Sequence, residues 1–158
     1  MQQRIDLLRS GPGAAQAMFA LQKSVNESGL EEDLLRLVEM RASQVNGCAY
    51  CLDMHSKEAR AAGETEQRLY LLDAWREAAL YSERERAALA WTEAVTQIAE
   101  GHVPDDVYAT ARAQFSEQEL ISLTLAVVAI NGWNRLSIAF RPEVGKYRVG
   151  MFKPAKAA

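Results

Sequence analysis

Two cysteines and one histidine carry most of the chemistry that can be read from this 158-residue chain. They fall in one segment, Asn46-Gly47-Cys48-Ala49-Tyr50-Cys51-Leu52-Asp53-Met54-His55. Cys48 and Cys51 are the only cysteines, and His55 follows the second by four residues. On a helix the three are related by i, i+3 and i+7 and share one face. Thiols so placed can close a disulfide across one turn. To react, one of them must be a thiolate. At a pKa near 8.5 about 3% is ionised at pH 7, and at about 6.5 roughly 75% is. The helix N-terminus after Asn46-Gly47, the imidazole of His55 and the neighbouring thiol each favour that ionisation. The dipole argument points to Cys48, the more N-terminal thiol, whereas His55 at i+4 is nearer Cys51.

Blander readings compete with this one. A structural disulfide closing so short a loop removes little unfolded-state entropy. A zinc site needs four ligands, and recruiting distant His102 gives a spacing that matches no common zinc module. Two buried thiols beside a satisfied core histidine are the third alternative. The added histidine favours redox chemistry over a bare C-x-x-C pair.

The elements that must position these groups are helical. Apolar residues recur at helical spacing nearly throughout, and no run of period-two alternation stands out, so the class is all-α. Residues 14–28 form a first helical stretch after Gly11-Pro12-Gly13. Residues 31–46 form a second, with Leu34, Val38, Ala42 and Val45 on one face and Glu31, Glu32 and Asp33 suited to its N-terminus. Asn46-Gly47 interrupts it, and a third helix runs from Cys48 to Ala62, stopping at Gly63. A short helix over 66–76 follows. Ser82-Glu83-Arg84-Glu85 is a capping box opening a helix to about Ala99, and Pro104 suits the first position of a helix over 104–114. Ser116-Glu117-Gln118-Glu119 caps a long apolar helix to about Phe140. The tail after Arg141-Pro142 has turn residues and no periodicity.

Composition bounds the rest. The length suits one domain with a sizeable core, and 49% hydrophobic with 25% charged residues suits a soluble globular chain. A net charge of −3 offers nothing to nucleic acid or an anionic membrane. The N-terminal MQQRIDLLRSGPG lacks the apolar run of a signal peptide, and no stretch approaches a membrane span. The expected location is the cytoplasm, where a close Cys pair is more often catalytic or metal-binding than structural.

The run from Arg41 to His55, Arg41-Ala42-Ser43-Gln44-Val45 followed by the ten residues above, resembles the AhpD-like alkylhydroperoxidase branch of the carboxymuconolactone decarboxylase superfamily. His102-Val103-Pro104-Asp105 and Asn131-Gly132-Trp133-Asn134-Arg135 corroborate it. The resemblance covers about 15–145 of a single 1–158 domain. It implies an all-helical bundle subunit assembled into homotrimers or homohexamers, with the Cys pair at the base of a cleft near subunit contacts. It also implies peroxidase chemistry on an organic hydroperoxide or hydrogen peroxide. One thiolate becomes a sulfenic acid, the other thiol resolves it to a disulfide, and an external dithiol or thioredoxin-like reductant restores the pair. The family pattern makes Cys51 the attacker and Cys48 the resolver. His55 would assist thiolate formation and protonate the leaving oxygen. No metal and no organic cofactor is implied.

Two positions depart from the pattern. The relay glutamate twelve residues before the first motif cysteine is here Arg36. Glu39, one turn on, is the candidate substitute, against the alternative of a solvated carboxylate. A relay histidine just before the second cysteine is here Tyr50, whose hydroxyl is the candidate replacement, against a half-buried structural role. Trp133 and Asn134 are candidates to wall the cleft, and Arg135 to meet an anion or an interface. Trp75, Trp91, Met18, Met40 and Met54 read as packing. Two other function classes compete: a non-redox, lactone decarboxylase-like enzyme of the same superfamily, and a redox-responsive oligomeric binding protein without turnover.

Overall fold

The arrangement of the helices follows from how each one starts and stops. The computed structural model describes residues 2–152; the tail beyond Phe152 lies outside them. Among the described residues there are helices and turns and no strand. They are α1 (Leu7–Ser10), α2 (Pro12–Asn26), α3 (Glu32–Asn46), α4 (Ala49–Ala61), α5 (Glu66–Leu71), α6 (Glu83–Thr96), α7 (Asp105–Gln114) and α8 (Glu117–Phe140). Single 3-10 turns at Leu72–Ala74 and Ile98–Glu100 follow α5 and α6.

Both expected capping boxes form. Ser82 and Ser116 accept from the N–H groups of Glu85 and Glu119, whose carboxylates reach back to the N-cap N–H groups. Other boundaries differ from expectation. The first long helix starts at Pro12, which needs no N–H partner in a first turn, and α1 precedes it, capped by Asp6. The expected 66–76 helix ends at Leu71 and tightens into a 3-10 turn. The helix expected to reach Ala99 stops at Thr96, and Pro104 is the extended N-cap of α7 rather than its first helical residue.

The junction of α3 and α4 sets the site. Gly47 takes the left-handed conformation, φ 65° and ψ 34°, that a side chain disfavours. Its N–H bonds Gln44 O at 3.0 Å, and Cys48 N–H bonds Ser43 O at 3.0 Å. This is a Schellman ending to α3. Cys48 is at once the last residue of that motif and the extended N-cap of α4. It therefore sits just before the helix, where helical placement was expected.

α3 is packed by α4, α6 and α8, and α8 touches α2, α3, α4, α6 and α7. One core cluster joins Val25, Leu34, Val38, Ala88, Leu123 and Val127. A second holds Leu37, Met40, Ala59, Leu72, Trp75 and Leu89 behind α3 and α4. Trp75 and Trp91 are buried as expected, their indole N–H groups donating to Glu93 and Thr124. The expectation of no membrane-length stretch needs correction, because the 24-residue α8 is long and apolar enough to cross a membrane by length and composition alone. Leu123, Val127 and Ile130 are buried against neighbouring helices, whereas Ile121, Val128 and Ile138 of the same helix are exposed.

Candidate active site

Cys48 and Cys51 are free thiols, each only 1% exposed. The N-cap places Cys48 at the mouth of α4, and Cys51 follows in its first turn. The Cys48 side chain makes no regular N-cap hydrogen bond, yet the sulfur lies beside the thiol and backbone N–H of Cys51. Those donors, with the nearby charge of His55, outweigh burial and hold the Cys48 thiol down at about 7. Cys51 moves the opposite way. Donating its proton to Cys48, losing solvent and facing the Cys48 charge all raise it. Of the two thiols, Cys48 is therefore the one pushed toward ionisation and Cys51 the one held protonated. The lowered thiol is the more N-terminal one, and the causes are the Cys51 donors and the charge of His55.

His55, 8% exposed, lies one turn beyond Cys51. Its Nδ1 stands 3.2 Å from Glu39 Oε2 on α3. Glu39 Oε1 accepts from Gln22 Nε2 of α2 at 3.0 Å, so both carboxylate oxygens are engaged. With Nδ1 turned to the carboxylate, the buried Nε2 is left without a protein partner. A helical side chain leans toward the preceding turn, which directs His55 to the Cys51 side of α4. Such an imidazole is oriented by one nitrogen and free to exchange a proton with the other.

Arg36 is turned away, pairing with Glu32 and Asp33 at 2.6 Å each. The carboxylate that reaches the histidine is Glu39, the candidate substitute. Among the described residues the Tyr50 hydroxyl makes no hydrogen bond to either thiol. Adjacent residues on a helix do not face each other. Tyr50 is half-buried beside Cys51, and its phenol is raised mainly by desolvation.

A buried polar lattice braces the pair from α8. Asn134, fully buried, donates to Ser43 Oγ at 3.1 Å and accepts from Asn46 Nδ2 at 2.8 Å. Asn46 also donates to Asn131 Oδ1 at 3.0 Å, and Asn131 donates to Thr96 Oγ1 at 3.0 Å. Ser43 in turn donates to the Glu39 carbonyl at 2.7 Å. The two Asn-Gly pairs of the sequence are therefore joined in space. Beneath them Arg41 reaches Glu93 at 2.7 Å and also Asp73, tying α3 to α6. One turn beyond Asn134, Ser137 Oγ lies 3.8 Å from Cys51 Sγ. Gln22 and Ser137 were not anticipated. The only signal for Ser137 was its i+3 spacing from Asn134.

The remaining candidates are elsewhere. Trp133 stacks on Phe19, ring centroids 5.2 Å apart. Arg135 is folded back on Asn131, at 3.0 Å from its carbonyl and 2.8 Å from its side-chain oxygen. His102 is exposed at φ 57° in the turn after Ile98–Glu100. Among the described residues no cluster of three His, Cys, Asp or Glu side chains is arranged to hold a metal.

Residues 12–94, more than half of the chain, match the model of the carboxymuconolactone decarboxylase family. The chain belongs to that family. The uncharacterized protein YdfG of Bacillus subtilis is 41% identical over 139 residues, spanning 88% of this chain and 95% of its own. A crystal structure of a protein of unknown function from Agrobacterium tumefaciens, proposed as the antioxidant defence protein AhpD, is 46% identical. It superposes with a TM-score of 0.88 over 90% of this chain and 98% of its own. The debrominase Bmp8 shares the fold at a TM-score of 0.78 and 22% identity, over 88% of this chain and 75% of its own. The segment matched to the carboxymuconolactone decarboxylase family runs from α2 into α6, and so contains the thiols, His55, Glu39 and Gln22.

Proposed function

We propose that this member of the carboxymuconolactone decarboxylase family is a thiol-dependent peroxidase. The reading rests on one observation: two buried free thiols three residues apart lie within two turns of a histidine that a carboxylate orients. The substrate is a small organic hydroperoxide or hydrogen peroxide. Cys51 passes its proton to Cys48, and the Cys51 thiolate attacks the terminal peroxide oxygen. An S–O bond forms, the O–O bond breaks, and the departing alkoxide takes a proton from His55. The Cys48 sulfur then attacks the Cys51 sulfenic acid, forming the disulfide and releasing water. An external dithiol or thioredoxin-like protein reduces that disulfide by exchange, in the reducing cytoplasm. The chemistry uses the sulfurs themselves and asks for no metal or organic cofactor. The working form is a homotrimer or homohexamer.

The thiolate on Cys48 favours a second assignment within the same cycle, in which Cys48 attacks and Cys51 resolves. Steady-state consumption of cumene hydroperoxide with a dithiol donor tests both. Wild type is compared with Cys48→Ser and Cys51→Ser, and sulfenic acid is trapped in each variant. Turnover lost in both, with sulfenate trapped only where Cys51 is kept, is the expected result. Sulfenate only where Cys48 is kept reverses the roles. No wild-type turnover above the free dithiol sinks the peroxidase.

A further inference from the structure

Hydroxyls inside the helices of this chain mostly bond back to their own backbone. Ser24, Ser43, Thr92, Thr110 and Thr124 each donate to the carbonyl four residues earlier, at 2.7–3.3 Å. This is the usual resting place of a helical hydroxyl. Ser137, in the last turn of α8, has no such bond. Its polar contact is with Cys51, Oγ to Sγ 3.8 Å. The hydroxyl proton is therefore uncommitted and stands within sulfur hydrogen-bond range of a reacting atom.

The surroundings make that proton matter. Cys51 sits in the first turn of α4, and Ser137 lies in the last turn of α8, at the electronegative end of that helix. That end disfavours a thiolate. The titratable groups facing the two sulfurs are Glu39 from α3, through His55, and Cys48, Tyr50 and His55 from α4, with Asp53 beyond Tyr50. From α8 no charged side chain reaches them, since Arg135 is turned to Asn131. The neutral donors Asn134 and Ser137 are what α8 supplies.

We propose that Ser137 is a catalytic residue whose hydroxyl donates to the Cys51 thiolate when that sulfur gives up its proton. A Cys51 thiol that is not turned to Cys48 can donate to Ser137 Oγ, 3.8 Å away. On ionisation the hydroxyl reverses, becoming the donor, at no cost beyond a rotation about its C–O bond. The Cys48 sulfur has the same neighbour, and the Ser137 hydroxyl favours ionisation there too. The role in turnover rests on the peroxidase reading, whereas the contact with the thiolate does not.

The test isolates Cys51 in a Cys48→Ser background. The pH midpoint of its alkylation by iodoacetamide is followed by intact mass for Ser137, Ser137→Ala and Ser137→Thr. A midpoint, unlike a rate, is insensitive to a constant difference in access. The expected result is a midpoint about one unit higher in the Ala variant, equivalent to about tenfold less thiolate, and restored by Thr. Equal midpoints in the Ala and Ser proteins, with both shown folded by their unfolding transitions, overturn the proposal. Cumene hydroperoxide turnover of Ser137→Ala with both cysteines intact separates the two readings. A shifted midpoint with no turnover in any protein leaves Ser137 as thiolate donor and removes the peroxidase. Normal turnover with an unshifted midpoint does the reverse.

Discussion

Glu39 and His55 meet across the α3–α4 interface, carboxylate Oε2 to imidazole Nδ1 at 3.2 Å. Both side chains are largely buried, and Gln22 closes the other carboxylate oxygen. The pair fixes which imidazole nitrogen remains free near the thiols. Glu39→Gln keeps the shape and removes the carboxylate that orients the imidazole. Peroxide kcat/KM should fall about tenfold or more, in line with lost general-acid assistance. The urea midpoint should move by no more than about 1 kcal/mol equivalent, because the amide can still bond both neighbours. An unchanged kcat/KM would remove Glu39 from the proton path.

Asn134 holds α8 to the end of α3 through Ser43 and Asn46. It is fully buried, so truncation removes a bond from each partner and leaves a cavity between α8 and α3. Asn134→Ala should cost roughly 2–3 kcal/mol by urea unfolding, the usual penalty for unsatisfied buried polar groups. Ser43→Ala removes two bonds, but the Glu39 carbonyl keeps its place in α3 and only the Asn134 amide loses its partner, so it should cost less. A cost for Asn134→Ala below that of Ser43→Ala would show that the lattice does not brace the helices.

The thiol motif was legible because its members lie within ten residues, where helical spacing alone brings them to one face. The capping boxes at Ser82 and Ser116 were legible for the same reason, since each is a local hydrogen-bond exchange. Glu39 was within reach as a same-helix neighbour of the departed relay position. What was hidden came from elsewhere in the chain. Gln22 is an ordinary polar residue of α2 until α3 packs against it, and Ser137 lies 86 residues beyond Cys51. The balance between the sulfurs was hidden too. Sequence spacing favoured either thiol, and the neighbours that lower Cys48, with Cys51 first among them, come into view only in the fold.

Gly47 makes that placement achievable. Its positive φ ends α3 and turns the chain so that Cys48 opens α4 at once. A Cβ there meets no atom within 4 Å, so the penalty is conformational rather than steric contact with neighbours. Gly47→Ala should cost about 1 kcal/mol, the strain of a side chain in the left-handed region. Gly47→Asn should cost less, since Asn tolerates that region better. Equal costs for the two would argue against conformation as the reason for glycine here.

The unequal thiols also give the protein a distinctive stability profile. Cys48 is depressed from an ordinary 9.0 to about 7, so its stabilising contribution is complete above pH 9 and lost as pH falls through 7. Between 7 and 9 the folded protein has released a proton that the unfolded chain still holds, and stability rises with pH. Cys51 is raised, so its contribution is complete below 9 and is lost above it, where the unfolded chain ionises and the folded one does not. The two effects give a rise from pH 7 toward 9 and a fall beyond it. Urea midpoints for the reduced wild type against Cys48→Ser across pH 6–10 isolate the first of these. The difference between the proteins should grow in favour of the wild type from 7 to 9. In parallel, one cysteine equivalent of the wild type should alkylate with a midpoint near 7. A single alkylation midpoint near 9 for both sulfurs, with a flat stability difference, would mean that Cys51 does not hold Cys48 as a thiolate.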